Sequence, residues 1–322
     1  MTPVILLTGF LGSGKTTLLS RLLNSENFKD TAVIVNEFGS VSLDHEMVRH
    51  ADESIITLGN GCLCCRSQSD IAIALNDLRR RRAESEISFQ RVVIETSGLA
   101  DPVPLLKALG TDLVAAMDFE LAGVVTVVDA VAGLRTLDQY EEARRQVAMA
   151  DQLLLSKTDL TSDTQGILAR LASLNSSASV SMASQWDGVY PRGSSVFRQE
   201  LAGQSVLHSQ EFGTVSIIRE TPLLAVTIPL FLEGLSSQLG ERLLRVKGLI
   251  CLEESPDRPM VVHTVQNMVH VPQWMDAWPS ADRRSRIVLI GHHLPQSWPG
   301  LLLDVLDAEA RSVAAHATVQ SR

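Results

Sequence analysis

Eight residues near the start of the chain, Gly9-Phe10-Leu11-Gly12-Ser13-Gly14-Lys15-Thr16, carry the spacing G-x-x-x-x-G-K-[ST] directly after the apolar run Val4-Ile5-Leu6-Leu7-Thr8. The chemistry of that spacing lies in the backbone. Gly9, Gly12 and Gly14 let successive N–H groups turn inward around a phosphate, and a helix starting near Lys15 adds the positive end of its dipole. Lys15 reaches the terminal phosphates, and the Thr16 hydroxyl is placed to ligate Mg²⁺. A glycine turn with a chance lysine is the bland alternative. The strand before and the helix after the motif argue against it and imply a nucleoside triphosphate site.

The second chemically loaded segment is Gly59-Asn60-Gly61-Cys62-Leu63-Cys64-Cys65. Three thiols within four residues on a glycine-bearing loop can converge on one ion, and thiolates suit Zn²⁺ and other soft or borderline metals. A fourth ligand must come from elsewhere: Glu37, a histidine, water or a client protein. A disulfide between two of the thiols and three inert buried cysteines are the other readings. The chain holds four cysteines; in a reducing compartment such a cluster points to metal or redox chemistry before a structural disulfide.

Three further segments end predicted strands. Glu95-Thr96-Ser97-Gly98 puts a carboxylate and a glycine amide opposite the phosphate loop, where Glu95 can hold Mg²⁺ through water or orient the attacking water. Asp129, in Val127-Val128-Asp129-Ala130, has a Mg²⁺-linked or a capping role. In Ser156-Lys157-Thr158-Asp159, a carboxylate can accept from guanine N1 and N2, and the stem of Lys157 can cover the base ring. Asn36-Glu37-Phe38-Gly39 follows the second strand and offers one more carboxylate.

The elements that position these groups alternate along the first half. Val4–Thr8, Thr31–Val35, Arg91–Glu95, Val124–Val128 and Gln152–Ser156 are short, β-branched and nearly continuous in apolar character, as parallel strands buried on both faces must be. Helical stretches fall at Lys15–Leu23, Asp70–Ala83, Leu137–Ala150 and Thr164–Leu174. The fold class is therefore α/β: a parallel NTPase-type sheet flanked by helices, with ligands at the carboxyl ends of the strands. From 175 to 213 the sequence is rich in Ser, Gly and Gln and reads as linker. A smaller α+β domain follows, with strands at Thr214–Arg219, Leu243–Leu252, Met260–Val265 and Arg284–Ile290, helices at Leu230–Leu239 and Leu301–Ala310, and a frayed tail from Arg311. The expected organisation is 1–185 nucleotide domain with the cysteine loop, 186–213 linker, 214–310 second domain and 311–322 tail.

Composition narrows the functional class. Of 322 residues, 45% are hydrophobic and 20% charged, and the net charge is −9. That is ordinary for a globular protein and argues against nucleic acid or an anionic membrane as partner. The basic run Arg79 to Arg82 reads as a solvated helix end. The short apolar run at the N-terminus leads straight into the phosphate loop and is no signal peptide, and no stretch approaches the ~20 apolar residues of a membrane span. The expected location is the cytosol.

In order, GFLGSGKTT, NEFG, GCLCC, ETSGLADP, VVDA and SKTD resemble the CobW-like P-loop GTPases, relatives of the hydrogenase and urease nickel-insertion GTPases. Leu244–Gly248, Val261–Val265 and Arg286–Gly291 are similar to their small C-terminal domain. The resemblance, over roughly residues 3 to 308, implies a GTPase that binds Zn²⁺ or another divalent metal (Co²⁺, Fe²⁺ or Ni²⁺) and serves a client metalloprotein as chaperone or insertase. Carried over by residue, it implies that Gly12, Ser13, Gly14, Lys15, Thr16 and Thr17 hold phosphates and Mg²⁺. Cys62, Cys64 and Cys65 are the metal thiols, with Glu37 nearby. Glu95 and Gly98 face the γ-phosphate, and Lys157 and Asp159 read guanine. Three departures stand out. Ser156 replaces the usual Asn, which predicts a weaker hold on guanine. Ser40-Val41-Ser42 stands where a second glutamate is frequent, leaving the fourth metal ligand open. The eight histidines are scattered, with His292-His293 the sole adjacent pair. A dedicated activator of one metalloenzyme such as nitrile hydratase shares every motif. A metal or redox sensor with nucleotide in a structural role and a small-molecule kinase are the other readings, and the kinase leaves the cysteines without a task.

Overall fold

The computed structural model describes residues 1–35, 55–57, 68–111, 117–188, 212–266, 268–269 and 272–320. The chain divides into two units, Met1–Ser195 and Val196–Arg322.

In the first unit the apolar runs form the strands β1 (Thr2–Thr8), β2 (Thr31–Val35), β3 (Ile55–Thr57), β4 (Arg91–Glu95), β5 (Phe119–Asp129), β6 (Gln152–Ser156) and β7 (Ser179–Met182). They make a seven-stranded sheet in the order β3-β2-β4-β1-β5-β6-β7, every pairing parallel. A parallel sheet brings all carboxyl ends to one edge, so the tips of β4, β1, β5 and β6 stand side by side. Helices α1 (Lys15–Leu23), α2 (Gln68–Ala83), α3 (Pro102–Thr111), α4 (Gly133–Gln139), α5 (Glu141–Ala148) and α6 (Gln165–Leu174) alternate with the strands. Helix α1 buries Leu18, Leu19 and Leu22 in a cluster with Ile5, Val33, Val125, Phe28 and Trp186. Each such aliphatic side chain contributes about 1.5–3 kcal/mol. The basic end of α2 is neutralised locally: Arg80 pairs with Asp77 and Glu84, and Arg82 lies 4.8 Å over the Phe89 ring.

Four differences from the sequence expectations have physical causes. The single helix expected over Leu137–Ala150 is two, because Tyr140 is extended (φ −120°, ψ 123°) with its ring 4.6 Å from that of Phe10. Helix α3 was not expected; Asp101 Oδ1 caps it by accepting from Val103 N (2.9 Å), and Pro102 occupies the first turn, where a missing N–H costs nothing. The serine-rich stretch read as linker from 175 opens with β7, paired to β6 by Leu153↔Val180, and with the buried Trp186. Residues 189–211 of the expected linker lie outside the described residues.

The fourth difference is in the second unit, which contains β8 (Phe212–Arg219), α7 (Thr227–Leu239), β9 (Leu243–Leu252), β10 (Ser255–Val265), β11 (Met268–Val269), β12 (Gln273–Trp274), β13 (Ser285–His292) and α8 (Trp298–Gln320). Its sheet runs β11-β10-β9-β13-β8, with β12 on β10, all antiparallel. Phe231, Leu232, Leu235 and Leu303 from the helices pack with Val246, Ile250, Val262 and Leu289 of the sheet. Helix α8 continues past Ala310, where fraying was expected. No Gly or Pro interrupts 301–320, and Arg311 is tied to Asp307 (2.8 Å), Glu253 (2.6 Å) and the Pro222 carbonyl (2.7 Å). Among the described residues no helix is long and apolar enough to cross a membrane.

Candidate functional site

The turn after β1 has the backbone its glycines allow. Gly9, Gly12 and Gly14 have φ of 144°, 71° and 94°. Gly9 alone is also sterically obligatory: a Cβ there would lie 2.3 Å from the Val127 carbonyl oxygen of β5. Gly14 is the left-handed residue from which α1 starts, with the Leu18 N–H closing on its carbonyl at 2.9 Å. The first turn of α1 carries no acidic residue, which leaves its positive end open to an anion.

Lys15 is 8% exposed and folds back over the loop, with Nζ donating to Gly9 O (2.7 Å) and Phe10 O (3.3 Å). Its neighbour Thr16 donates from Oγ1 to Glu95 Oε1 at 2.7 Å. Glu95 ends β4 opposite Leu7 and is buried. Beyond it, Thr96 is locked to β1 by its N–H on Leu7 O (3.0 Å) and by its hydroxyl on Thr8 Oγ1 (2.8 Å). The structure thus brings together Gly9, Gly12, Ser13, Gly14, Lys15, Thr16, Glu95 and Gly98, residues separated by up to ninety positions in the sequence. Hydroxyl and carboxylate oxygens at a phosphate cradle are the hard donors that Mg²⁺ takes, so the side chains present fit that ion.

On the other flank, Asp129 and Ser156 are register partners at the tips of β5 and β6. Asp129 Oδ1 accepts from Val131 N (2.8 Å) and Ala132 N (3.0 Å), the capping arrangement, and Oδ2 holds Lys157 Nζ at 2.7 Å. Burial opposes the charge on this carboxyl, but the Lys157 ammonium and the two amides outweigh it and hold the pKa below the usual carboxylate range. Lys157 adopts a left-handed φ of 55°, and Asp159 is exposed two residues on. The Ser156 hydroxyl donates to the Ser13 carbonyl at 2.6 Å, so it ties the tip of β6 to the phosphate loop.

Sequence reasoning missed Gln146 and Arg145 on α5, which hold the backbone and Asp101 of the Gly98 loop; a polar pair within a helical stretch gives no signal of a distant partner. Glu37, Cys62, Cys64 and Cys65 lie outside the described residues, and among the described residues no cluster of His, Cys, Asp and Glu is arranged to hold a metal. Cys251 is buried in β9, where burial pushes its thiol up.

Residues 3–182 match the family model described as CobW/HypB/UreG, nucleotide-binding domain. The chain belongs to the CobW/HypB/UreG family. Residues 212–303 match the cobalamin synthesis protein cobW C-terminal domain as well, so both units have counterparts in CobW-type members. The zinc chaperone YjiA of Escherichia coli is 32% identical over 303 residues, 91% of this chain and 95% of that protein. The zinc-regulated GTPase metalloprotein activator 1 of Schizosaccharomyces pombe is 38% identical over 167 residues, 50% of this chain and 40% of that protein. Among solved structures, the Zn(II)-bound YjiA GTPase from E. coli superposes with a TM-score of 0.73 at 27% identity, over 95% of this chain and 98% of that one.

Proposed function

We propose that this CobW/HypB/UreG family member is a GTP-hydrolysing metallochaperone that binds Zn²⁺ at Cys62, Cys64 and Cys65 and delivers it to a client metalloprotein under nucleotide control. The observation that carries the reading is the 2.7 Å bond from Thr16 to Glu95. It joins the phosphate loop to the strand tip that leads into the Gly98 segment, so occupancy of one is felt by the other. The names of the relatives, a zinc chaperone and a zinc-regulated GTPase metalloprotein activator, support zinc as cargo and a protein as recipient.

In this reading the N–H groups of Gly12 to Thr17 cradle the phosphates, and Lys15 leaves the Gly9 and Phe10 carbonyls for the terminal phosphate. Thr16, with Glu95 behind it, would hold Mg²⁺, which would supply charge neutralisation on the phosphoryl oxygens. Glu95 orients the attacking water, and the Gly98 amide meets the γ-phosphate. Lys157, braced by Asp129, covers the base, and Asp159 reads guanine.

The link to zinc is topological. Val35 pairs with Glu95 on one side and Thr57 on the other. The chain therefore departs toward Glu37 and toward Cys62 from the same edge that carries the nucleotide residues. Ordering of that edge by the γ-phosphate alters the thiol site, and by linkage zinc must alter GTP affinity by the same factor. Thiolates also accept Co²⁺, Fe²⁺ and Ni²⁺, and availability selects among them. The reading places the protein in the cytosol, where the thiols stay reduced.

The test is a titration of Zn²⁺ against a competing chelator with reduced protein, first with GDP–Mg²⁺ and then with a non-hydrolysable GTP analogue. A difference of about tenfold or more, roughly 1.4 kcal/mol of coupling, is expected. Equal affinity in the two states refutes nucleotide control.

A further inference from the structure

The segment after Glu95 is held from a side that phosphate chemistry does not call for. Gln146 of α5 is 1% exposed, and its Nε2 donates to Gly98 O (3.1 Å) and Ala100 O (3.0 Å). Its main-chain carbonyl accepts from Thr126 Oγ1 of β5 at 2.9 Å, which fixes Gln146 to the sheet. The preceding residue, Arg145, bonds Asp101 Oδ2 at 2.9 Å and steadies its guanidinium on Glu141 (2.8 Å). On the opposite side Gly98 has no room to retreat: a Cβ there would lie 2.6 Å from Leu11 N and 2.8 Å from Leu11 Cα of the phosphate loop. The Ala100 N–H closes a turn on Ser97 O at 3.0 Å. The segment from Ser97 to Asp101 is therefore clamped between the phosphate loop and α5.

We infer that Gln146 is a positioning residue for GTP hydrolysis, acting through the Gly98 backbone, with the Arg145–Asp101 ion pair as its second anchor. The inference rests on the GTPase reading above. A peptide unit is planar and trans, so holding the Gly98 carbonyl toward α5 turns the Leu99 N–H away from it, and with the Ala100 carbonyl held as well Gly98, whose own N–H meets the γ-phosphate in this reading, has little freedom to rotate. The direction of the loop's amide donors is thus set before any nucleotide arrives, which is the preorganisation a developing charge on a γ-phosphate requires. Only the donor half of this side chain is spent on hydrogen bonds. Gln146 Oε1 is buried and, among the described residues, has no hydrogen-bond partner. Such an oxygen costs free energy that an apolar side chain of the same shape avoids.

The experiment compares wild type with Gln146→Met, which keeps the shape and removes both donors. GTP turnover and the affinity for a fluorescent GDP analogue are measured on the full chain. Because GDP lacks the γ-phosphate and its grip is the phosphate loop, kcat should fall about 10- to 100-fold while GDP affinity and KM for GTP change less than about twofold. Arg145→Ala, at a partly exposed site, reads the same segment if Gln146→Met does not fold; its kcat should fall with GDP affinity unchanged. Undiminished kcat in a folded Gln146→Met, undiminished kcat in Arg145→Ala where Gln146→Met does not fold, or parallel loss of kcat and GDP affinity overturns the positioning role. Absence of turnover in the wild-type chain instead overturns the GTPase reading and the positioning role with it.

Discussion

Replacing Gly9 by alanine tests the nucleotide cradle most directly, because its cost can be worked from the geometry. The added Cβ would sit 2.3 Å from Val127 O, 2.8 Å from Ser13 Oγ and 3.1 Å from Val127 N. The serine hydroxyl can rotate aside, but Val127 lies within β5, paired on both edges with β1 and β6, and cannot yield. Overpacking against such a backbone costs about 1–3 kcal/mol, and a φ of 144° adds about 1–2 kcal/mol for any residue with a Cβ. The total, about 2–5 kcal/mol, appears as a melting midpoint lower by roughly 5–15 °C. If the loop instead lifts off β5 to relieve the clash, it appears as at least about 30-fold weaker GDP binding. Gly12→Ala is the internal control: its φ is 71° but no atom lies within 4 Å of the added carbon, so it loses only about 1 kcal/mol. Thermal unfolding and titration with a fluorescent GDP analogue read both quantities. Gly9→Ala indistinguishable from Gly12→Ala in both assays would refute the steric argument and the placement of the loop against β5.

Lys15→Ala should abolish measurable GTP turnover while the far-ultraviolet circular dichroism stays that of wild type; retained turnover rejects the phosphate role. Glu95→Gln keeps an acceptor for the Thr16 hydroxyl but removes the charge, and should lower kcat about 100-fold in a steady-state phosphate-release assay. The double change Cys64→Ala with Cys65→Ala should eliminate tight zinc binding in the chelator competition while the far-ultraviolet circular dichroism stays that of wild type; unfolding of the variant would instead show the thiols to be core residues. Asp282 is held at about 2, against an ordinary 3.8, first by its hydrogen bond with Arg284, with burial opposing and Arg286 assisting. Its folded-state value is depressed, so its contribution is complete above pH 4 and is lost as pH falls from about 4 through about 2. Denaturant unfolding should show wild type losing about 1–2 kcal/mol more than Asp282→Asn across that window.

What the chain discloses by inspection is local. Lys15–Leu23 is bounded by a left-handed glycine and an apolar stripe, and β2, β4, β6 and β9 are apolar runs with abrupt ends, so their limits can be read residue by residue. The break at Tyr140 cannot, because the residue there packs its ring on Phe10, 130 positions earlier. The same holds for Ser156. As a letter in a base-reading motif it signals a shortened amide substitute, whereas its bond to the Ser13 carbonyl depends on β6 and the phosphate loop meeting at one sheet edge. Gln146 is the extreme case: its two acceptors are backbone carbonyls, which leave no trace in residue identity. The order of motifs reveals which groups gather at the edge, but the braces that fix their angles arise from packing between elements distant in sequence.

Four tryptophans occur in the chain, at 186, 274, 278 and 298, and Trp186 is the one within the first unit. It is 6% exposed and packs in the cluster that holds Leu18 and Leu22, and its carbonyl accepts from Arg21 of α1 at 2.6 Å. Because α1 begins at Lys15 and Thr16, this indole sits against the helix that opens on the proposed phosphate site. With the three other tryptophans changed to phenylalanine, the protein becomes its own optical instrument. The emission colour and lifetime of one native ring would then follow nucleotide arrival and release in real time, without a dye on either the ligand or the chain.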